Sequence, residues 1–135
     1  MRGYFSDADL DSVRVVVADP LPVADPPFSN VLRRAGFDFP GLSLTAAITF
    51  DNLIASREPM APMLLFHELV HVVQYRFLGI KTFAKLYVHG FLSTRSYHAI
   101  PLERCAFELE ERFASQRNEF PVGTSVANWI ANGRF

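Results

Sequence analysis

An α+β fold is the class this sequence predicts, on three observations. β-Branched and aromatic residues gather in two short runs, Val13 to Ala18 and Leu44 to Ser56, each bounded by turn-forming residues. Helical periodicity marks Pro62 to Leu78, Lys81 to Leu92 and Leu102 to Gln116. These signals alternate along 135 residues that are half hydrophobic and 20% charged, the profile of one compact domain over residues 1–135 with no linker. A chain of that length buries roughly two-thirds of the surface its unfolded form exposes.

In chain order, Asp7 to Leu10 reads as a short helical turn, and Val13 to Ala18 (Val-Arg-Val-Val-Val-Ala) as a β-strand. The proline-dense segment from Asp19 to Phe28 is an irregular loop, because proline lacks the amide hydrogen that regular ladders need. Phe28 to Ala35 reads as a short helix closed by Gly36, and Pro40-Gly41 as a turn. Leu44 to Ser56, with Asp51-Asn52 in its middle, fits a hairpin or a bent strand. Pro62 suits the first turn of the next helix, which Gly79 should terminate near Leu78. Lys81 to Leu92 follows as a shorter helix despite Gly90, Pro101 opens a third, and Val126 to Ile130 adds a last turn. Internal repeats are absent.

The sharpest chemical signal is His67-Glu68-Leu69-Val70-His71. Two His at i and i+4 share one face of a helix and can share a zinc ion, with the Glu between them placed to act on a water at the metal. At 100° per residue, His67, Glu68, His71, Gln74 and Tyr75 fall within an arc of about 120°. Leu65, Phe66, Leu69, Val70, Val72, Val73 and Phe77 fill the rest, so the helix reads as a buried one. Buried His and Glu are costly unless paired or coordinated, and a metal answers that cost. The bland reading makes them hydrogen-bonded core residues.

Catalytic zinc takes three protein ligands and leaves one position open. His89 and His98 are the other histidines, and Glu103, Glu108, Glu110, Glu111 and Glu119 the acids downstream. The residues after His71 exclude a third His in the same motif. On the third helix Leu102, Ala106, Leu109 and Phe113 form an apolar stripe. Glu103 and Glu110 flank it, while Glu108 and Glu111 point away. Glu103, in the first turn after Pro101, is the favoured third ligand and Glu110 its geometric competitor.

The expected chemistry is hydrolysis with Zn2+ as cofactor, Glu68 taking a proton from the attacking water, and Tyr97 or His98 as a hydrogen-bond donor to the developing oxyanion. Gln74 suits orienting a neighbour. A free hairpin edge would favour a peptide or protein substrate, laid along it as an extra strand. Two other classes fit the same residues: a zinc-binding interaction domain without turnover, and a metal-free helical structural protein.

A net charge of −1 with dispersed basic residues suggests neither nucleic acid nor an anionic membrane as partner. No apolar stretch approaches the 18 or so residues of a membrane span. The start, Met1 to Asp7, lacks the features of a signal peptide, so the expected location is the cytoplasm. The single Cys105 allows no internal disulfide framework; it suits buried packing better than a role as ligand or nucleophile. Thirteen Phe hint at exposed apolar surface and a protein partner.

HELVHVVQY, then a gap, then Tyr97-His98-Ala99-Ile100-Pro101-Leu102-Glu103-Arg104-Cys105-Ala106, resembles the small bacterial gluzincin-type HExxH metallopeptidases, related to the HExxH domain of extracellular contractile injection system core proteins. Leu44 to Ile54 resembles the hairpin those domains place before the metal helix, and the likeness covers roughly Leu42 to Phe113. It implies a minimal zincin-like domain, with a central HExxH helix, further helices and a small sheet or hairpin, and zinc-dependent peptide hydrolysis. The Glu of an ExxA helix completes the zinc site in that group, which matches Glu103 and Ala106. Two positions depart from the pattern: Ile100 stands for an Asn before Pro-Leu-Glu, and Asp51 for a glycine in the hairpin turn.

Overall fold

The structure is a computed structural model that describes residues 1–21, 23–25, 27, 29–38, 41, 45–116 and 118–135. It is an α+β fold. The elements run α1 (Asp7–Ser12), β1 (Arg14–Val17), α2 (Ser29–Arg34), β2 (Ala47–Phe50), β3 (Leu53–Ser56), α3 (Pro62–Thr94), a 3₁₀ turn (Tyr97–Ala99), α4 (Pro101–Ser115) and α5 (Val122–Ala131). Phe28, Pro40, Leu42 and Leu44, which bound the expected short helix, turn and hairpin region, lie outside the described residues.

α3 organises the domain. Phe66, Leu69, Val70 and Val73 are 0–3% exposed, and they meet Ile54 of β3, Cys105, Ala106 and Leu109 of α4, and Val122, Val126 and Trp129 of α5. Phe113 of α4 stacks on Phe66 at 4.4 Å, and Tyr4, Phe5 and Phe120 pack around that ring. At Gly79 the backbone leaves helical geometry (φ 72°, ψ 161°) and divides α3 into two arms, residues 62–78 and 80–94. A positive φ strains any side chain with a Cβ, so the glycine marks where one helix stops and the next starts.

β2 and β3 form a hairpin across Asp51 and Asn52, with Thr49 opposite Ile54 and Phe50 opposite Leu53. Asp51 takes φ 54°, a left-handed conformation that Asp tolerates better than most residues. β1 pairs in parallel with β3, giving the order β1-β3-β2. A hairpin signal cannot announce that long-range partner. β1 is exposed along its length, whereas Ile54 and Ser56 of β3 face the core. α5 begins four residues before the expected Val126. Gly123, Thr124 and Ser125 weaken its local signal, but Val122, Val126 and Trp129 recur at i, i+4 and i+7 and are buried together. Among the described residues no helix is long and apolar enough to cross a membrane.

Gly90 lets the second arm of α3 approach the start of α4. A Cβ there would lie 2.8 Å from Pro101 Cδ and 3.2 Å from Ile100 Cγ2. The proline ring is rigid and Ile100 is fully buried, so neither yields easily. Overpacking of this kind costs about 1–3 kcal/mol, against about 1 kcal/mol of helix propensity gained from alanine. Gly90→Ala should therefore lower stability by up to about 2 kcal/mol. Urea denaturation reads this, and a higher midpoint would show that the arm does not seat against α4.

Candidate metal centre

The first arm of α3 turns one face away from the aromatic core, and that face carries His67, Glu68, His71 and Gln74. They are buried with 5%, 5%, 6% and 0% of their surface exposed. α4 crosses opposite and adds Glu103 from its first turn, 2% exposed. His67 Nε2 lies 3.1 Å from His71 Nε2 and 3.3 Å from Glu103 Oε2, and His71 Nε2 lies 3.4 Å from the same oxygen. Zinc bonds of about 2.0–2.1 Å at tetrahedral angles put ligand atoms about 3.3 Å apart, so the triangle has the dimensions of three corners of a zinc tetrahedron.

The hydrogen bonds behind the two rings decide where their protons sit. Gln74 Nε2 donates to the Leu102 carbonyl at 3.0 Å, which fixes the amide and leaves its Oε1 facing His71 Nδ1 at 2.9 Å. A carbonyl oxygen only accepts, so Nδ1 of His71 carries hydrogen. Glu110 Oε2 lies 2.8 Å from His67 Nδ1 and makes the same demand on that ring. With both rings neutral, Nε2 of each presents a lone pair to the carboxylate oxygen of Glu103. Three acceptors meet with no donor among them, which is the arrangement a cation satisfies.

Glu103 is held from behind as well. Tyr87, on the second arm of α3, donates to Oε1 at 2.8 Å, leaving Oε2 for the triangle. Burial, reinforced by the Glu103 carboxylate, pushes the Tyr87 and Tyr97 phenols far above their ordinary range, so both stay protonated as donors. Burial alone would raise the Glu103 carboxyl, but His71 and His67 beside it hold it below the usual carboxylate range. Burial works against a charged His71, yet Glu103 and Glu68 outweigh it and raise the imidazole to about 9. In metal-free protein a proton on His71 would thus do part of the cation's work.

Glu68 turns toward β2, where Thr49 Oγ1 donates to its Oε2 at 2.6 Å. Both line a cavity of about 550 Å³ between the hairpin and the second arm of α3. His71, Glu103, Tyr75, Tyr87 and Tyr97 sit on its polar side, and Ile48, Phe50, Leu53, Phe83 and Val88 supply apolar walls.

The structure thus brings together His67, His71 and Glu103, with Glu68 and Tyr97 on the adjoining cavity. Glu110 reaches His67 at Nδ1, the nitrogen turned away from the triangle, and so stands behind a ligand position where the sequence had made it a competitor for one. His98 is exposed on the 3₁₀ turn, its ring against Tyr97 and Phe107, and does not line the cavity. His89, Glu108, Glu111 and Glu119 are exposed. Cys105 is buried in the core, its thiol pushed up to about 11 by burial.

Sequence reasoning missed Tyr87 and Thr49. Tyr87 stands one helical turn before Gly90, so a close approach at the glycine carries the tyrosine toward α4; Thr49 had only a place in a strand of unsettled register. No family model, curated protein or solved structure matches the chain.

Partners that orient metal-bound histidines typically contribute 10–100-fold to affinity. Glu110→Ala and Gln74→Leu should each raise the zinc Kd by about that factor, read by competition with a chromophoric chelator. Wild-type affinity in both variants would mean that these contacts do not set the rings.

The metal-free protein should also carry a pH signature. His71 is raised from 6.5 to about 9 on folding, so the stabilisation it supplies is full below pH 6.5 and lost between there and about 9. Glu103, held below 4.5, stabilises above that pH and loses its contribution as the medium becomes more acid. Metal-free stability should therefore plateau between about pH 4.5 and 6.5 and fall toward 9. Zinc affinity should rise over that upper range, because binding displaces the proton. Denaturation with and without zinc across pH checks both trends, and flat metal-free stability from 6.5 to 9 would count against a charged His71.

Proposed function

We propose that this domain is a zinc-dependent metallopeptidase of the gluzincin type, with His67, His71 and Glu103 holding the metal and Glu68 as general base. One observation carries the reading: two His Nε2 atoms and a Glu oxygen converge 3.1–3.4 Å apart, beside a cavity that also holds a carboxylate outside the trio. Two His and one Glu make a ligand set suited to catalytic zinc. Zinc in such a set supplies a Lewis acid that polarises a carbonyl and brings the pKa of a water toward neutrality.

The chain's own residues divide the remaining work. Thr49 engages Oε2 of Glu68, so Oε1 is the oxygen left to take a proton and return it to a leaving amine. Tyr97 faces the cavity as a protonated phenol and is suited to donate to a developing oxyanion. His98, exposed outside the cavity, is not given that role.

Peptide is the favoured substrate because of β2. In the order β1-β3-β2 it pairs with β3 alone among the described strands. The Arg57 amide bonds the Ala46 carbonyl, and antiparallel alternation from that pair turns the backbone groups of Ala47 and Thr49 to the open side. An extended peptide could pair there while the Thr49 hydroxyl stays on Glu68.

The first experiment measures metal content by elemental mass spectrometry and cleavage of fluorescently labelled casein. Wild type should carry near-stoichiometric zinc, and His67→Ala and Glu103→Ala should lose it. Glu68→Gln should keep zinc while turnover falls about 10²–10⁴-fold. Zinc bound with no cleavage of any substrate would favour an interaction domain, and no zinc after incubation would remove the metalloprotein reading.

A further inference from the structure

The second arm of α3 walls the cavity with Phe83, Tyr87 and Val88, although the three candidate ligands sit on the first arm and on α4. Several contacts among the described residues hold the arm in place, Phe91 on Phe37 at 5.4 Å among them. Phe83 stacks on Tyr75 at 3.7 Å with the rings 15° apart. Gly90 abuts Ile100 and Pro101. The Tyr87 hydroxyl donates to Glu103 Oε1 at 2.8 Å. The Phe83 and Gly90 contacts are apolar, and the Phe83 ring also stands edge-on to His71 with the centroids 6.1 Å apart. The Tyr87 bond reaches a candidate metal ligand directly.

The terminal torsion of a Glu side chain is soft, and backbone placement alone does not select which oxygen faces which way. The bond from Tyr87 makes that selection by holding Oε1. Where residues 62–78 give way to 80–94, Gly79 has φ 72° and nothing within 4 Å of where its Cβ would be.

We propose that Tyr87 is a positioning residue that sets Glu103 for metal binding and thereby couples zinc binding to the docking of residues 80–94 against the cleft. The proposal rests on the metal site argued above. Coupling of this kind is reciprocal: what arm docking adds to zinc affinity, zinc adds to docking. Tyr97 also lies beside Glu103 on the cavity wall, but from the 3₁₀ turn, so it could orient the carboxylate without engaging the arm.

The test uses the full chain and zinc alone as the probe. Zinc Kd is measured by chelator competition, and amide hydrogen exchange of residues 80–94 is followed with and without saturating zinc. Wild type should show slower exchange in the arm when zinc is bound. Tyr87→Phe should raise the Kd about 10–100-fold and lose the zinc-dependent slowing even at saturation. Leu92→Ala, 52% exposed on the same arm, should keep wild-type behaviour in both and controls for general loosening. A wild-type Kd in Tyr87→Phe would overturn the proposal in favour of Tyr97. A raised Kd with the slowing intact would overturn the coupling. Wild type that binds no zinc would be recognised before any variant is made, and would remove the metal reading together with this one.

Discussion

Three acceptors that face one another without a hydrogen between them set the terms for the rest of this fold. A buried lone pair with no partner costs free energy, and three converging on one point repel as well. The usual relief, a shift of tautomer, is blocked because Nδ1 of His67 and of His71 are both committed to acceptors, Glu110 and Gln74. A cation or an extra proton must fill the gap. The rise of His71 to about 9 is the proton's answer, and the tetrahedral spacing suits the metal's.

That constraint explains why one helix can be both core and site. Residues 62–78 bury Phe66, Leu69, Val70 and Val73 against the sheet, α4 and α5, while the opposite face buries His67, His71 and Gln74. Polar groups on so buried a helix persist only if each is engaged. Gln74 shows how closely they are: its amide serves a ring nitrogen on one side and the Leu102 carbonyl on the other, binding α3 to α4 one residue from Glu103. Truncating it would free the ring and loosen the helix pair at once.

How much of this was legible in the sequence follows from the range of each interaction. Helix breaks and starts are local, so Gly79, Pro62 and Pro101 announced the arms of α3 and the entry to α4. His67 and His71 share a face by helix geometry alone, and Glu103 and Glu110 stood beside the apolar stripe of α4. Their spacing of seven residues puts both on one side of that helix, but periodicity does not say which carboxylate meets which ring nitrogen. That depends on the crossing of α3 and α4, which is long-range. The parallel partnership of β1 with β3, the Thr49 bond to Glu68 and the reach of Tyr87 to Glu103 are long-range too. His98 shows the reverse error: nearness in sequence to Glu103 suggested a shared site, but on the 3₁₀ turn its ring goes to Tyr97 and Phe107.

The cavity walls share one construction. β2 reaches the centre through Thr49 and Glu68, α4 through Glu103, and the second arm of α3 through Tyr87. Each wall therefore has an apolar attachment to the body of the domain and a polar attachment to the centre. The apolar cluster around Phe66 joins the first arm of α3 to β3, α4 and α5. The polar attachments are directional, and they fix how each wall faces its neighbours. In a domain of 135 residues this matters more than in a larger one, because the second wall is a continuation of the helix that carries both histidines. Moving that wall bears on Glu103 through Tyr87, and moving Glu103 bears on both rings. The geometry of the centre and the shape of the cleft are consequently not independent properties of this chain.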